Sequence, residues 1–157
     1  MSIIGILVTL TAPQLGTLRE RAEKVVCMGH LRSLHCSFAA YLNDNDQWPQ
    51  CPEDLTPGAE EQFWMDAVKE YGVTEKTWQC PTLARAIGSD LQDSASDVPK
   101  IHYTPAKFDE SPLTPRKWAG MPWLMELSDI HHGGAIMIRT DGAVQSVDDA
   151  VLDANGG

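Results

Sequence analysis

The first twelve residues, MSIIGILVTLTA, are almost wholly apolar and end at Pro13. Such a run is too short to span a bilayer, which needs about 20 apolar residues. It also lacks the basic start and the small-x-small cleavage site of a secretory signal peptide. Beyond Pro13, QLGTLRERAEKVVCMGHLRSLHCSFAAYL is rich in helix formers, and no further proline occurs before Pro49. Arg19/Glu23 and Glu20/Lys24 add opposite charges at i,i+4. Gly16 and Gly29 weaken this helix without ending it, and Pro13 is expected to kink it by removing one backbone hydrogen bond. The pattern predicts one helix over residues 3–42.

That helix would be about 60 Å long at 1.5 Å per residue. A domain of about 100 residues has a radius of gyration near 13 Å, so half of the helix must project. Cys27, Leu31, Leu34, Phe38 and Tyr41 recur at spacings of 4, 3, 4 and 3, a single face suited to lying on a folded body. Upstream of Arg19 the residues are apolar all round, as in a helix surrounded by lipid or by other helices. The chain therefore divides into a projecting segment, residues 1–26, and a globular head, residues 27–157, which includes the second half of the helix. The alternative is an ordinary N-terminal core helix.

The helix is expected to end in YLNDNDQWP, where Asn43–Asp46 favour a turn. Their oxygens also suit calcium, but the glycine and distal glutamate of an EF-hand loop are missing. A second helix over Ala59–Tyr71 follows Pro57-Gly58, carries Glu60 and Glu61 in its first turn and stops at Gly72. Its Phe63, Ala67 and Tyr71 share a face. KTWQCP reads as extended, residues 86–100 as a polar loop, and KIHYT and WLMELSD as strands. AIMIRT-DG-AVQSV predicts a hairpin with a two-residue type I′ turn at Asp141-Gly142. That register puts Ile136, Ile138 and Val147 on one face and Arg139 on the other. The fold class is α+β: a long N-terminal helix packed on a small antiparallel sheet that closes with a C-terminal β-hairpin.

At 157 residues the chain fits one domain. Its 22 acidic against 12 basic residues, a net charge of −10, argue against a nucleic-acid partner, whose phosphates demand a basic footprint. The four cysteines form no CxxC pair, which speaks against a zinc knuckle or a thioredoxin-like redox motif. Asp129, His131 and His132 make an Asp-x-His-His cluster, yet adjacent strand residues point to opposite faces, so at most one histidine joins Asp129. His30, His35 and His102 have no spacing that completes a site. No metal is therefore expected, and His131 is expected to be a structural hydrogen bonder fixing the Gly133-Gly134 turn. A strand rather than a helix follows those glycines, which excludes a phosphate loop. There is no G-x-S-x-G elbow and no Ser or Cys placed beside a base, so neither an enzyme nor a cofactor is expected. Cys27 and Cys36 lie about 13 Å apart along the helix, on opposite sides, and cannot bridge.

Several stretches carry a family resemblance. SIIGILVTLTAPQL resembles the middle of a pilin N-terminal helix, with Pro13 at the family's proline. CMGHLRSLHCSFAAYLNDNDQWP resembles the helix end of the pilin-like class named for its C-terminal H-X9-DG motif, and WQCP matches that class's Cys-Pro. In HHGGAIMIRTDG, His131 is followed by nine residues and then Asp141-Gly142. The chain thus resembles type IV pilin-like proteins and type II secretion pseudopilins. It departs from them at Gln47, near which a glycine is common, and at Ala143, where a histidine is frequent. The family's basic leader and Phe-Thr-Leu-x-Glu stretch are also missing, and Met1 is expected to be an internal methionine of a longer reading frame or an expression boundary.

The resemblance implies a filament subunit of a type II secretion or type IV pilus-like system, anchored and assembled through its N-terminal helix. It implies a place in the bacterial cell envelope, with the head periplasmic or extracellular. The implied partners are other pilin-like subunits, a prepilin peptidase, an inner-membrane platform with its assembly ATPase, and the membrane itself. It further implies a Cys27–Cys80 disulfide, with Cys51–Cys80 as the rival pairing and four free thiols as the remaining alternative. A second reading is an envelope-anchored binding module that recognises a secreted substrate or surface ligand without polymerising, through Trp118 and Trp123.

Overall fold

The computed structural model describes the backbone of residues 3–90, 99–131 and 133–155, and the side chains of residues 16–88, 99–131 and 133–152. The fold is α+β. Helix α1 (Ile3–Asn45) runs through Pro13 without a break and ends where Asp46 takes a left-handed φ of 53°. Asn45 donates to the Tyr41 carbonyl and Arg116 to the Asn43 side chain, so Asn43–Asp46 form a hydrogen-bonded helix end. Helix α2 (Pro57–Val68) tightens into a 3-10 turn over Lys69–Tyr71 and stops at Gly72, whose φ of 86° suits glycine alone. Helix α3 (Pro81–Asp90) precedes a four-stranded antiparallel meander, β1 (Tyr103–Pro105), β2 (Pro122–Glu126), β3 (Ile136–Arg139) and β4 (Val144–Ser146), in that spatial order. A last helix, α4 (Val147–Asn155), follows β4 directly.

The expected stripe is the one that α1 buries. Cys27, Leu31, Leu34 and Phe38 are fully buried, Leu42 joins them, and Tyr41 is half-buried at the edge. The sheet presents Leu124, Ile136 and Ile138 to this core, while Thr104, Met125 and Leu127 alternate outward. In α2 the buried residues are Trp64 and Val68, one position beyond the expected Phe63 and Ala67, which lie half-buried.

The hairpin differs from expectation in its turn. Asp141 does not adopt positive φ, which a type I′ turn requires, and only Gly142 does so, at 78°. Gly142 N–H bonds to the Arg139 carbonyl and Arg139 N–H to the Ala143 carbonyl, closing a three-residue loop with Gly142 as its left-handed residue. Asp141 is held instead by the Ala143 N–H at 3.0 Å and by Arg139 at 2.8 Å. The shift moves the register by one residue. Ile138 now faces Val144 and Ile136 faces Ser146, while Val147 leaves the sheet to start α4. That helix is absent from the sequence reading, although Ser146 caps it by accepting from Asp149 N–H, and Asp148 and Asp149 sit in its first turn. Two further corrections concern the chain before the sheet. Glu75–Trp78 is a 3-10 turn rather than an extended piece, because Thr74 and Thr77 cap it reciprocally. Residues 86–90 belong to α3 rather than to a loop, and residues 91–98 lie outside the described residues.

Phe38 organises the interior. Its ring stacks on Trp48 at 4.8 Å and meets Trp64 and Trp78 at 6.0 and 6.1 Å, while Trp48 contacts Trp123 at 5.0 Å. These four tryptophans are all essentially inaccessible to solvent. Two of their indoles donate to backbone carbonyls, Trp48 to Ala106 at 2.9 Å and Trp123 to Pro115 at 2.7 Å, so polar handles are satisfied as the rings are buried. Phe38→Ala should therefore lower the unfolding free energy by about 3–5 kcal/mol. Denaturant titration measures this; a loss under about 1 kcal/mol would mean that the aromatic cluster does not hinge on Phe38.

Candidate functional site

Four elements converge at the end of the buried stripe. Cys27 comes from α1, Cys80 from the residue before α3, Glu126 from the last position of β2, and His131 from the loop that follows. One donor atom from each lies within 4.8 Å of the others, and all four residues are buried. The Cys27 and Cys80 sulfurs are 2.8 Å apart, Cys80 Sγ is 3.5 Å from His131 Nε2, and His131 Nε2 is 3.1 Å from Glu126 Oε1. The side chains of Glu126 and His131 are 0% and 2% exposed.

Local chemistry explains the placement. Pro81 cannot continue the chain backwards as helix but suits the first helical position, so Cys80 becomes the residue that caps α3. The next two backbone N–H groups lack intrahelical partners. They lie beside the sulfurs instead, where the Thr82 N–H favours the Cys27 thiolate and the Leu83 N–H that of Cys80. Glu126 Oε2 accepts from Ile136 N–H at 3.4 Å, and the His131 carbonyl accepts from Gly134 N–H at 3.1 Å. Gly134 has a φ of 88°, and a Cβ there would stand 2.8 Å from the Asp148 carboxylate, so the loop can turn His131 inward only with glycine at this position.

The environment shifts the acid–base groups. Burial pushes the Glu126 carboxyl up to about 8, and Cys80 beside it reinforces the shift against the opposing pull of His131. The hydrogen bond between the two sulfurs favours the Cys27 thiolate and holds the Cys80 thiol well above its ordinary range. The Tyr103 hydroxyl faces Cys27 without a hydrogen bond of proper geometry, and burial raises it as well. The cluster thus combines soft sulfur, an imidazole and a carboxyl in a dry interior, a set suited to binding a cation or to forming a disulfide.

Of the residues singled out in the sequence, Cys27, Cys80 and His131 meet here. The expected cysteine pair is brought together, but as two free thiols rather than a bonded pair; Cys36 and Cys51 are also free. The His131 ring points at Glu126 and Cys80, so its role in fixing the glycine turn is borne by its carbonyl and not by its imidazole. Asp129 is exposed and outside the cluster, which removes the Asp-x-His-His arrangement; His132 lies outside the described residues. Asp141 and Gly142 sit at the hairpin tip, where the loop touches His35 of α1. Glu126 is the member that sequence reasoning missed. Its only sequence signal is a glutamate at an inward position of the apolar WLMEL strand. Trp123 is buried, which withdraws it from any contact surface, while Trp118 is 55% exposed.

No known family model matches the chain, and neither a curated protein nor a solved structure matches it significantly. Among the described residues no helix is long and apolar enough to cross a membrane.

His102 supports the site from beneath, accepting the Cys80 N–H on Nδ1 at 2.9 Å while 2% exposed. Burial lowers its pKa, outweighing the Cys80 and Pro99 carbonyls and the charge of Glu61, which act in the opposite direction. The folded state therefore holds His102 neutral where the unfolded chain takes up a proton. Its contribution to stability is complete above about pH 6.5 and falls by up to about 1.4 kcal/mol per pH unit below that. The difference in stability between wild type and His102→Gln should be flat above pH 7 and decline towards pH 5, as followed by denaturant titration. A constant difference across this range would contradict the assignment.

Proposed function

We propose that the chain is a pilin-like subunit of a type II secretion or type IV pilus-like filament, anchored and assembled through α1. The observation that carries this reading is a second apolar stripe. Leu18, Ala22, Val25 and Val26 are exposed, Leu18 and Val25 by 57% and 65%. At 100° per residue they centre on the side of α1 opposite the buried Cys27–Leu31–Leu34–Phe38 stripe. A helix that buries one face in its own head and offers the opposite face uncovered is built to pack on another helix.

The uncharged, mostly apolar sequence before Arg19 continues the same rod. In lipid, or among copies of itself, such a segment exchanges one apolar surrounding for another at little net cost. Its sister subunits would supply the packing, and a peptidase, a platform and an ATPase would process and drive it, in the manner of the family that the sequence resembles. The acidic head would then face the periplasm or the cell exterior. The binding-module reading retains one supporting observation, the exposed Leu113 and Trp118 in the segment before β2.

Electron microscopy of fibres sheared from cells expressing the full-length gene tests assembly. Leu18→Glu with Val25→Glu should abolish fibres while the head's unfolding midpoint stays near that of wild type, since exposed substitutions change stability by about 0.5 kcal/mol or less. Fibres of normal abundance in that variant would sink the proposal.

A further inference from the structure

We propose that Cys27, Cys80, Glu126 and His131 form a closed four-ligand site for a zinc-class divalent ion that clips α1 to the head. This goes beyond the filament reading and stands whether or not the chain assembles.

The donor set selects the ion. Two thiolates and an imidazole favour zinc, whereas calcium and magnesium take oxygen ligands in larger number. A tetrahedral centre with bonds of about 2.3 Å to sulfur and 2.0–2.1 Å to nitrogen or oxygen has ligand–ligand edges of about 3.6 Å from sulfur to nitrogen and 3.3 Å from nitrogen to oxygen. The observed Cys80–His131 and His131–Glu126 separations are 3.5 and 3.1 Å. The sulfur–sulfur edge differs. At 2.8 Å it must open by about 1 Å to reach the roughly 3.8 Å of a zinc dithiolate, just as it would have to close to about 2.05 Å for a disulfide.

What favours the metal is the company around the sulfurs. A disulfide is neutral and leaves a buried imidazole with no polar partner but the Glu126 carboxyl, which itself keeps only that ring and a 3.4 Å contact from Ile136 N–H in a dry interior. A divalent cation gives all four groups a partner. The Thr82 and Leu83 N–H groups at the start of α3, which favour the thiolate form of Cys27 and Cys80, would then face metal-bound sulfurs. Binding releases the protons of Cys27, Cys80 and Glu126 to solvent and leaves the site with a net charge of about −1, facing the positive end of α3. Four protein ligands fill the coordination sphere, so the site is structural.

The test uses the full chain, purified in detergent under reducing conditions and without chelator. Elemental analysis should find about one zinc per chain. Cobalt(II) added to the metal-free protein should produce a thiolate charge-transfer band, and zinc should abolish it. Glu126→Gln and His131→Gln should each weaken cobalt binding at least about tenfold, and Cys36→Ser and Cys51→Ser should leave it unchanged. Reduced wild-type protein that holds no zinc and gives no cobalt band would overturn the proposal. So would a band undiminished in Cys27→Ser or Cys80→Ser, or a Cys27–Cys80 disulfide in metal-free protein isolated from cells.

Discussion

The contact between one stripe of α1 and the aromatic interior of the head underlies the rest of the architecture. Leu31, Leu34 and Phe38 are buried under Trp48, Trp64, Trp78 and Trp123, which come from four separate parts of the chain. Among the described residues no strand exceeds five residues, and none of the shorter helices exceeds twelve. Elements of that size have little stability alone. All of them but α4, which packs on β4, contribute a side chain to a surface that α1 completes. The hairpin tip shows the same dependence, as Thr140 accepts from His35 at 3.1 Å and Gly142 lies against the same ring.

At one end of that stripe the packing changes character. From Phe38 to Leu31 the contacts are apolar; one turn earlier Cys27 meets sulfur, imidazole and carboxyl. Just before that, Glu23 accepts from Thr82 at 3.0 Å and pairs with Arg85 at 2.9 Å, polar attachments between the helix and α3. The buried cluster therefore sits where the rod emerges, the point at which a lever arm would apply most torque to the head. A metal clip there would stiffen the junction between the head and the part of α1 that precedes it.

Much of this arrangement is legible in the residues. Spacings of 4, 3, 4 and 3 from Cys27 identify the buried face of α1, because an apolar repeat held for about four turns marks one side of a helix. Gly72 marks the end of α2 for the equally local reason that a left-handed residue is required there. At Asp141-Gly142 the place of the turn is legible but its type is not. Asp141 gains more from accepting the Ala143 N–H than from entering the left-handed region, and one residue of register follows from that choice. Helix α3 is hidden because Cys-Pro reads equally well as an extended dipeptide, and its start shows only in the structure, where the Cys80 carbonyl accepts from Ala84 N–H. The site itself is half visible. Cys27, Cys80 and His131 each stand out, but nothing local announces that Glu126, 99 residues after Cys27, completes them. A buried acid on a strand carries no periodic signature of its own.

The central claim is that α1 divides its labour, bound to its own head from Glu23 onward and, as we propose, offering its Leu18–Ala22–Val25–Val26 face to another helix. Amide hydrogen exchange of the purified monomer, compared with the assembled or membrane-bound form, measures this most directly. Amides over 30–42 should exchange only through global unfolding in both states. Those over 16–22 should exchange orders of magnitude faster in the monomer and become protected on assembly. Uniform slow exchange over 16–42 in the isolated monomer would contradict the account, because the head would then cover the whole rod by itself.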